Sequence, residues 1–225
     1  MRALAIVSGG LDSATLAYHL KAQGYDLRVL SFNYGQRHHR ELKSASEIAR
    51  MVGARFDVVD IASFGRFLRG SALTDATVPV PHGHYAAENM RSTVVPMRNT
   101  IMLSMACAIA AADGIQEVYL GVHAGDHPIY PDCRPQFIAA FNDLLRVVEA
   151  KTCCSDPALV RVLAPFVHMS KSDIVALGAR LEVPYEITWS CYEGGDVHCG
   201  QCGTCVERKE AFALAGVTDP TIYLA

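Results

Sequence analysis

Two stretches of this 225-residue chain combine residue types at spacings suited to chemistry. Near the start, Ser8-Gly9-Gly10-Leu11-Asp12-Ser13 follows an apolar run and opens a helical pattern. Paired glycines let the backbone approach an anion closely, and a helix start adds unpaired N–H donors and a favourable dipole. Ser8 and Ser13 add hydroxyl donors, and Asp12 offers a carboxylate for the Mg²⁺ that accompanies a nucleotide. A serine-capped tight turn with no ligand is the competing reading. Near the end, Cys191, Cys199, Cys202 and Cys205 fall within fifteen residues, among Gly194, Gly195, Gly200 and Gly203. Tetrahedral Zn²⁺ takes four thiolates at about 2.3 Å, and four close its coordination shell, so such a site is structural. A redox dithiol and a four-cysteine iron–sulfur cluster compete with it. Redox Cys-x-x-Cys pairs need no third and fourth partner, which favours the metal.

The elements that must position these residues read as alternating strands and helices. Strands are expected at Leu4–Val7, Leu27–Phe32, Phe56–Ile61, Glu117–Val122 and Val160–Phe166. Helices are expected from Leu11 to Gln23, Arg40 to Met51, Arg98 to Ala112 and Pro135 to Ala150. Ser170-Lys171-Ser172-Asp173 reads as a capping-box start for a helix to about Leu181, and Thr204-Cys205-Val206-Glu207 as the start of a last one ending at Gly216. This order predicts an α/β fold, a parallel sheet with helices on both faces and its site beyond the carboxyl ends of the strands. Residues 63–97 show no sustained period, and a loop that long reads as a functional lid. A boundary near Thr188 divides residues 1–188, the nucleotide-binding domain, from residues 189–225, a small four-cysteine zinc-binding segment packed on it.

Composition narrows the function class. With 51% hydrophobic residues and no Gly or Pro period, the chain is neither disordered nor fibrous. A net charge of −3 argues against a broadly basic nucleic-acid face. No apolar run is long enough to span a bilayer and no signal-peptide core stands at the start, so a cytoplasmic protein without membrane contact is expected. The pairs His38-His39, His82/His84 and His123/His127 read as chance proximity in a chain with nine histidines.

The Ser8–Ser13 segment resembles the Ser-Gly-Gly-x-Asp-Ser loop of the PP-loop ATP pyrophosphatases, which have an adenine nucleotide alpha hydrolase-like fold and cleave ATP between its α and β phosphates. Further segments are similar to one branch, the 7-cyano-7-deazaguanine synthases of queuosine precursor synthesis. They are Phe32–His38, Ser71–Asp75, Val95–Thr100, Tyr130–Pro135 and Trp189–Tyr192. The resemblance implies a C–N-bond-forming ligase that turns 7-carboxy-7-deazaguanine and ammonia into a nitrile through adenylated acid and amide, releasing AMP and pyrophosphate. It implies ATP, Mg²⁺ and structural Zn²⁺, and a homodimer. It places Ser8, Gly9, Gly10, Leu11, Asp12 and Ser13 on the pyrophosphate. Catalytic roles fall to Asp12, Ser13, Arg98 and Lys171, and substrate contacts to Asn99, Asp126, Tyr130 and Asp132. A tRNA-thiolating relative and a non-enzymatic zinc module are the alternatives.

Overall fold

Five short runs pair side by side as parallel strands: β1 (Arg2–Ile6), β2 (Asp26–Asn33), β3 (Arg55–Asp60), β4 (Glu117–Tyr119) and β5 (Arg161–Leu163). They are taken from a computed structural model that describes residues 1–148 and 159–224. The helices are α1 (Leu11–Ala22), α2 (Arg40–Met51), α3 (Ala62–Gly65), α4 (Ala87–Met90), α5 (Arg98–Ala112), α6 (Pro135–Val148), α7 (Lys171–Arg180) and α8 (Gly203–Ala215). Strand order is β3-β2-β1-β4-β5. Strand alternation sorts the core into two layers. Leu4, Ile6, Leu30 and Phe32 pack with α5 and α6, whereas Ala3, Ala5, Val7, Leu27 and Val29 pack with α1, α2, α7 and α8. Helices therefore cover both faces. The chain moves outward from β1 through β2 to β3, then returns to place β4 on the other side of β1. That reversal opens a crevice beyond the carboxyl ends of β1 and β4.

The expected elements are all found, with shifted ends. β4 stops at Tyr119 rather than Val122, and beyond it Gly121 lies against the α1 entrance, where a Cβ would sit in ordinary contact, 3.5 Å from Ser13 backbone atoms. β5 is an edge strand paired only with three residues of β4, which leaves residues 164–166 free to turn. α6 is described to Val148, and its expected end at Ala150, with Cys153 and Cys154, lies outside the described residues. The capping box of α7 is present, the Ser170 hydroxyl accepting from the Asp173 N–H and the Asp173 carboxylate from the Ser170 N–H. The one expected at Thr204–Glu207 is absent. α8 begins at Gly203, the Thr204 hydroxyl donates to the Ser190 carbonyl, and Glu207 turns to Lys171. Within 63–97 the chain holds α4 and a 3₁₀ turn at Arg91–Thr93, and it buries Ala72, Leu73 and Met90 completely. Its residues 81–83 pair with 201–203 of the cysteine segment.

Candidate active site

A cavity of about 220 Å³ fills the crevice. One wall is the turn from β1 into α1. Its hydroxyls are engaged within the turn: the Gly9 N–H donates to Ser13 Oγ (3.3 Å), the Gly10 N–H to Ser8 Oγ (3.3 Å), and the two hydroxyls lie 3.2 Å apart. Gly9 has φ +97°, and a Cβ there would lie 2.1 Å from the Glu41 carbonyl oxygen and 2.8 Å from the Ala45 nitrogen. Glycine at this position is thus demanded by contact with α2 as well as by the turn. Leu11 is buried and lines the cavity together with Ser8, Asp12 and Ser13.

Beyond this turn lies a cluster of charges drawn from four parts of the chain. Lys171, at the start of α7, pairs with Glu207 of α8 and with Asp12 Oδ2 at 3.4 Å. Burial alone would lower the lysine pKa, but Asp12, Glu207 and Asp126 outweigh it and hold the ammonium well above its ordinary value. Burial pushes the Glu207 carboxyl up, against the pull of Lys171. His123, 1% exposed, accepts from the Gly125 N–H at Nδ1, so its Nε2 carries the proton. That Nε2 has no hydrogen-bond partner and sits 3.8 Å from Asp12 Oδ2 and 3.6 Å from Asp126 Oδ2. Asp12 Oδ1 is also buried and unpartnered.

The opposite end is aromatic. Arg98, first residue of α5, lies among Tyr34, Tyr130 and Tyr192, with its guanidinium 5.9 Å from the Tyr130 ring centre. No carboxylate among the described residues pairs with it. Burial raises all four phenols of this end, Tyr34 to about 12 and Tyr85, Tyr130 and Tyr192 likewise upward, so they are neutral hydrogen-bonding groups. Tyr130 shares a 2.7 Å hydrogen bond with Thr93, and Tyr85 donates to Asp126 at 3.2 Å. Met97, just before Arg98, sits in the left-handed region at φ 58°, an unfavourable conformation for a side chain with a Cβ. Asn99 lines the cavity, but its amide donates to the Asp132 carbonyl (3.0 Å) and Cys133 Sγ (3.3 Å). The Asp132 carboxylate lies outside the lining and accepts from the Asn99 N–H, closing the first turn of α5.

The sulfur atoms of Cys191, Cys199, Cys202 and Cys205 lie within 4.8 Å of one another. Backbone N–H groups of Gln201 and Cys202 point at Cys199 Sγ, and that of Cys199 at Cys191 Sγ. N–H donors aimed at sulfur stabilise thiolates, so this donor set fits a tetrahedral metal. The segment also builds the cavity wall. Arg208, 1% exposed, ties Thr188, Ser190, the Tyr185 carbonyl and Asp219 together and lines the cavity with Ser190 and Tyr192.

The cavity therefore gathers Ser8, Leu11, Asp12, Ser13, Arg98, Asn99, Asp126, Tyr130 and Lys171, leaving Gly9, Gly10 and Asp132 just behind its lining. Sequence reasoning missed His123, Glu207, Tyr34, Tyr85 and Arg208 as lining or charge partners. Tyr34 lay in a segment already singled out, and Glu207 was given a capping role that its position alone suggested. His123 sat in plain view after β4, the strand that flanks the crevice.

The family model described as queuosine biosynthesis protein QueC matches residues 2–216. The chain is 53% identical to the 7-cyano-7-deazaguanine synthase of Brucella ovis over 99% of its own length and 94% of that protein's, and 52% identical to that of Brucella anthropi over the same shares. A solved NMN synthetase from Francisella tularensis has a similar fold, with a TM-score of 0.53 and 15% identity over 96% of this chain and 77% of that one. Among the described residues no helix is long and apolar enough to cross a membrane.

Proposed function

This chain belongs to the QueC family of queuosine biosynthesis, and from that membership we propose that it is a 7-cyano-7-deazaguanine synthase that uses ATP, acting as a cytoplasmic C–N ligase. It takes 7-carboxy-7-deazaguanine and ammonia to the nitrile through the adenylated acid and the amide, with release of AMP and pyrophosphate. A carboxylate resists amination because its oxygen leaves poorly. Adenylation turns that oxygen into a phosphate-type leaving group. Such chemistry asks for positioning and charge stabilisation more than for a covalent nucleophile.

The observation that carries this reading is the meeting, in one cavity, of the Ser8–Ser13 turn, the Asp12–Lys171 pair backed by Glu207 and an arginine that no carboxylate among the described residues pairs with. The turn, through Ser8, Ser13 and the N–H group of Leu11, with Gly9 and Gly10 shaping its backbone, holds the pyrophosphate portion of ATP, and Lys171 offsets its charge. Arg98 receives the substrate carboxylate and keeps it facing the α-phosphate. Tyr130, Asp126 and Asn99 contact the deazapurine, with Asp132 holding Asn99 in place. Three carboxylates against one lysine, and the unpartnered Asp12 Oδ1, fit a divalent cation held at Asp12. When bound, Mg²⁺ there would neutralise phosphate charge. The four thiolates would hold Zn²⁺, whose chemistry is structural and fixes residues 189–225 against the domain of residues 1–188. The exposed Leu144, Val147 and Val148 of α6 offer an apolar face for the second copy of a homodimer.

Purified protein incubated with ATP, Mg²⁺, ammonium and 7-carboxy-7-deazaguanine is expected to give AMP, pyrophosphate and the nitrile, all dependent on the purine. Formation of ADP, or AMP at background, overturns the adenylation mechanism.

A further inference from the structure

Ammonia in neutral water is mostly ammonium, which has no lone pair. An enzyme that consumes it gains from a cation-attracting base beside the acyl carbon. The cavity wall formed by the β2–α2 connection carries such a pair. Glu41, in the first turn of α2, is 8% exposed, and its only ionic partner among the described residues is His38. Its Oε1 accepts from the Gln36 amide at 2.9 Å, and its Oε2 faces His38 Nε2 at 3.3 Å. Gln36 is completely buried and fixed in turn: its amide also donates to the Phe32 carbonyl, and its oxygen accepts from the Tyr34 N–H. The carboxylate is thus oriented from behind and places the imidazole proton on Nε2. That leaves a lone pair on Nδ1, which is buried and has no hydrogen-bond partner. An orphaned polar atom of this kind is costly unless a ligand or water completes it. His38 and Glu41 both line the cavity, and the backbone of Glu41 touches the nucleotide turn at Gly9. The His38 ring lies 5.2 Å from that of Tyr192, one of the three phenols around Arg98.

Resting on the proposed reaction, we propose that His38 and Glu41 form the ammonium subsite, Glu41 attracting the cation and His38 Nδ1 taking its proton. The ammonia lone pair then forms the C–N bond. The acyl C–O bond breaks with its electron pair leaving on AMP, and a second proton passes from the new nitrogen to solvent. The imidazolium, stabilised by Glu41, returns its own proton to solvent before the next turnover.

Two variants test the pair. His38→Phe keeps a ring against Tyr192 and removes both nitrogens, and Glu41→Gln keeps the acceptor for Gln36 and removes the charge. With acid and ATP alone, isotope exchange between pyrophosphate and ATP is expected to stay within about twofold of the unsubstituted enzyme. With ammonium, kcat/KM for amide formation is expected to fall about 10²-fold or more, the usual worth of a general base. Hydroxylamine, largely unprotonated at neutral pH, should restore most of that loss. Equal loss in exchange and amination makes the pair structural and overturns the proposal. So does a hydroxylamine rate depressed as far as the ammonium rate, or an unchanged ammonium rate. If the unsubstituted enzyme shows no exchange at all, it is the adenylation reading that fails.

Discussion

At the Asp12 end of the cavity, Asp12, Asp126 and Glu207 face a single lysine and one histidine. At the Arg98 end, one guanidinium faces three neutral phenols. The first end carries surplus negative charge and is held together by its own ion pairs. The second carries surplus positive charge and is held by packing around it. Charge of opposite sign is called for at each, in keeping with the proposed divalent cation at one end and the proposed substrate carboxylate at the other. Folding stability should therefore depend on the charges of the first end, whereas the charge of the second should serve function alone.

The largest effect should come from a change that reaches both ends at once. The cysteine segment supplies Tyr192 to the arginine end and leads through Cys205 to Glu207 at the other. Cys191→Ser is expected to lose bound metal, measured by elemental analysis, and to abolish AMP release. A variant that retains both would sever the link between segment and site. Next, Lys171→Met leaves Asp12 and Glu207 unpaired and should cost about 3–5 kcal/mol in denaturant unfolding. Adding Glu207→Gln should recover much of that stability with no return of activity; absence of recovery would show that the cluster does not act as a charge unit. Arg98→Met should break the symmetry between the ends. It removes a half-buried cation that no carboxylate among the described residues pairs with, so the unfolding midpoint should hold or rise while kcat/KM for the acid falls about 10²–10³-fold. A large drop in midpoint would place Arg98 among the structural ion pairs.

The smallest effect concerns the Arg208 clamp between the ends. Burial works to raise the Asp219 carboxyl, but Arg208 and hydrogen bonds from Tyr223 and Thr221 outweigh it and hold it below the ordinary value. A lowered folded pKa gives stability that is complete above the unfolded value near 4 and is lost as pH falls through the folded one. Asp219→Asn should cost about 1.5–3 kcal/mol at pH 7 and flatten that part of the acid unfolding profile. An unchanged profile would assign the acid loss to other carboxylates.

Much of this was legible in order and pattern. The β1 glycine turn, the buried helix from Arg98 and the Ser170 capping box follow from local spacing, because each is decided by neighbours within a few residues. The charged cluster was only half legible. Asp12 and Lys171 sat in motifs, but Glu207 and His123 gain their partners from chain crossings that no local pattern records. Thr204–Glu207 carried a capping signal, and the tertiary ion pair with Lys171 prevailed over it. Residues 63–97 lacked a period because they wrap the cavity and the cysteine segment as single contacts. Tyr85 and the 81–83 pairing with 201–203 are the result.

Gly9 is pressed against the backbone of α2, and at Gly65 in α3 a Cβ would lie 1.8 Å from the Tyr34 carbonyl oxygen. The stretch from Tyr34 to Glu41 is therefore clamped at both ends by backbone-to-backbone contact, with no side chain between to yield. Mechanically, it is the fixed jaw of a vice. A ligand entering the cavity would meet this stretch as a fixed surface, and any change of shape on binding falls to other parts of the lining, among them Tyr85 and Tyr192, which hang from the two segments that pair with each other.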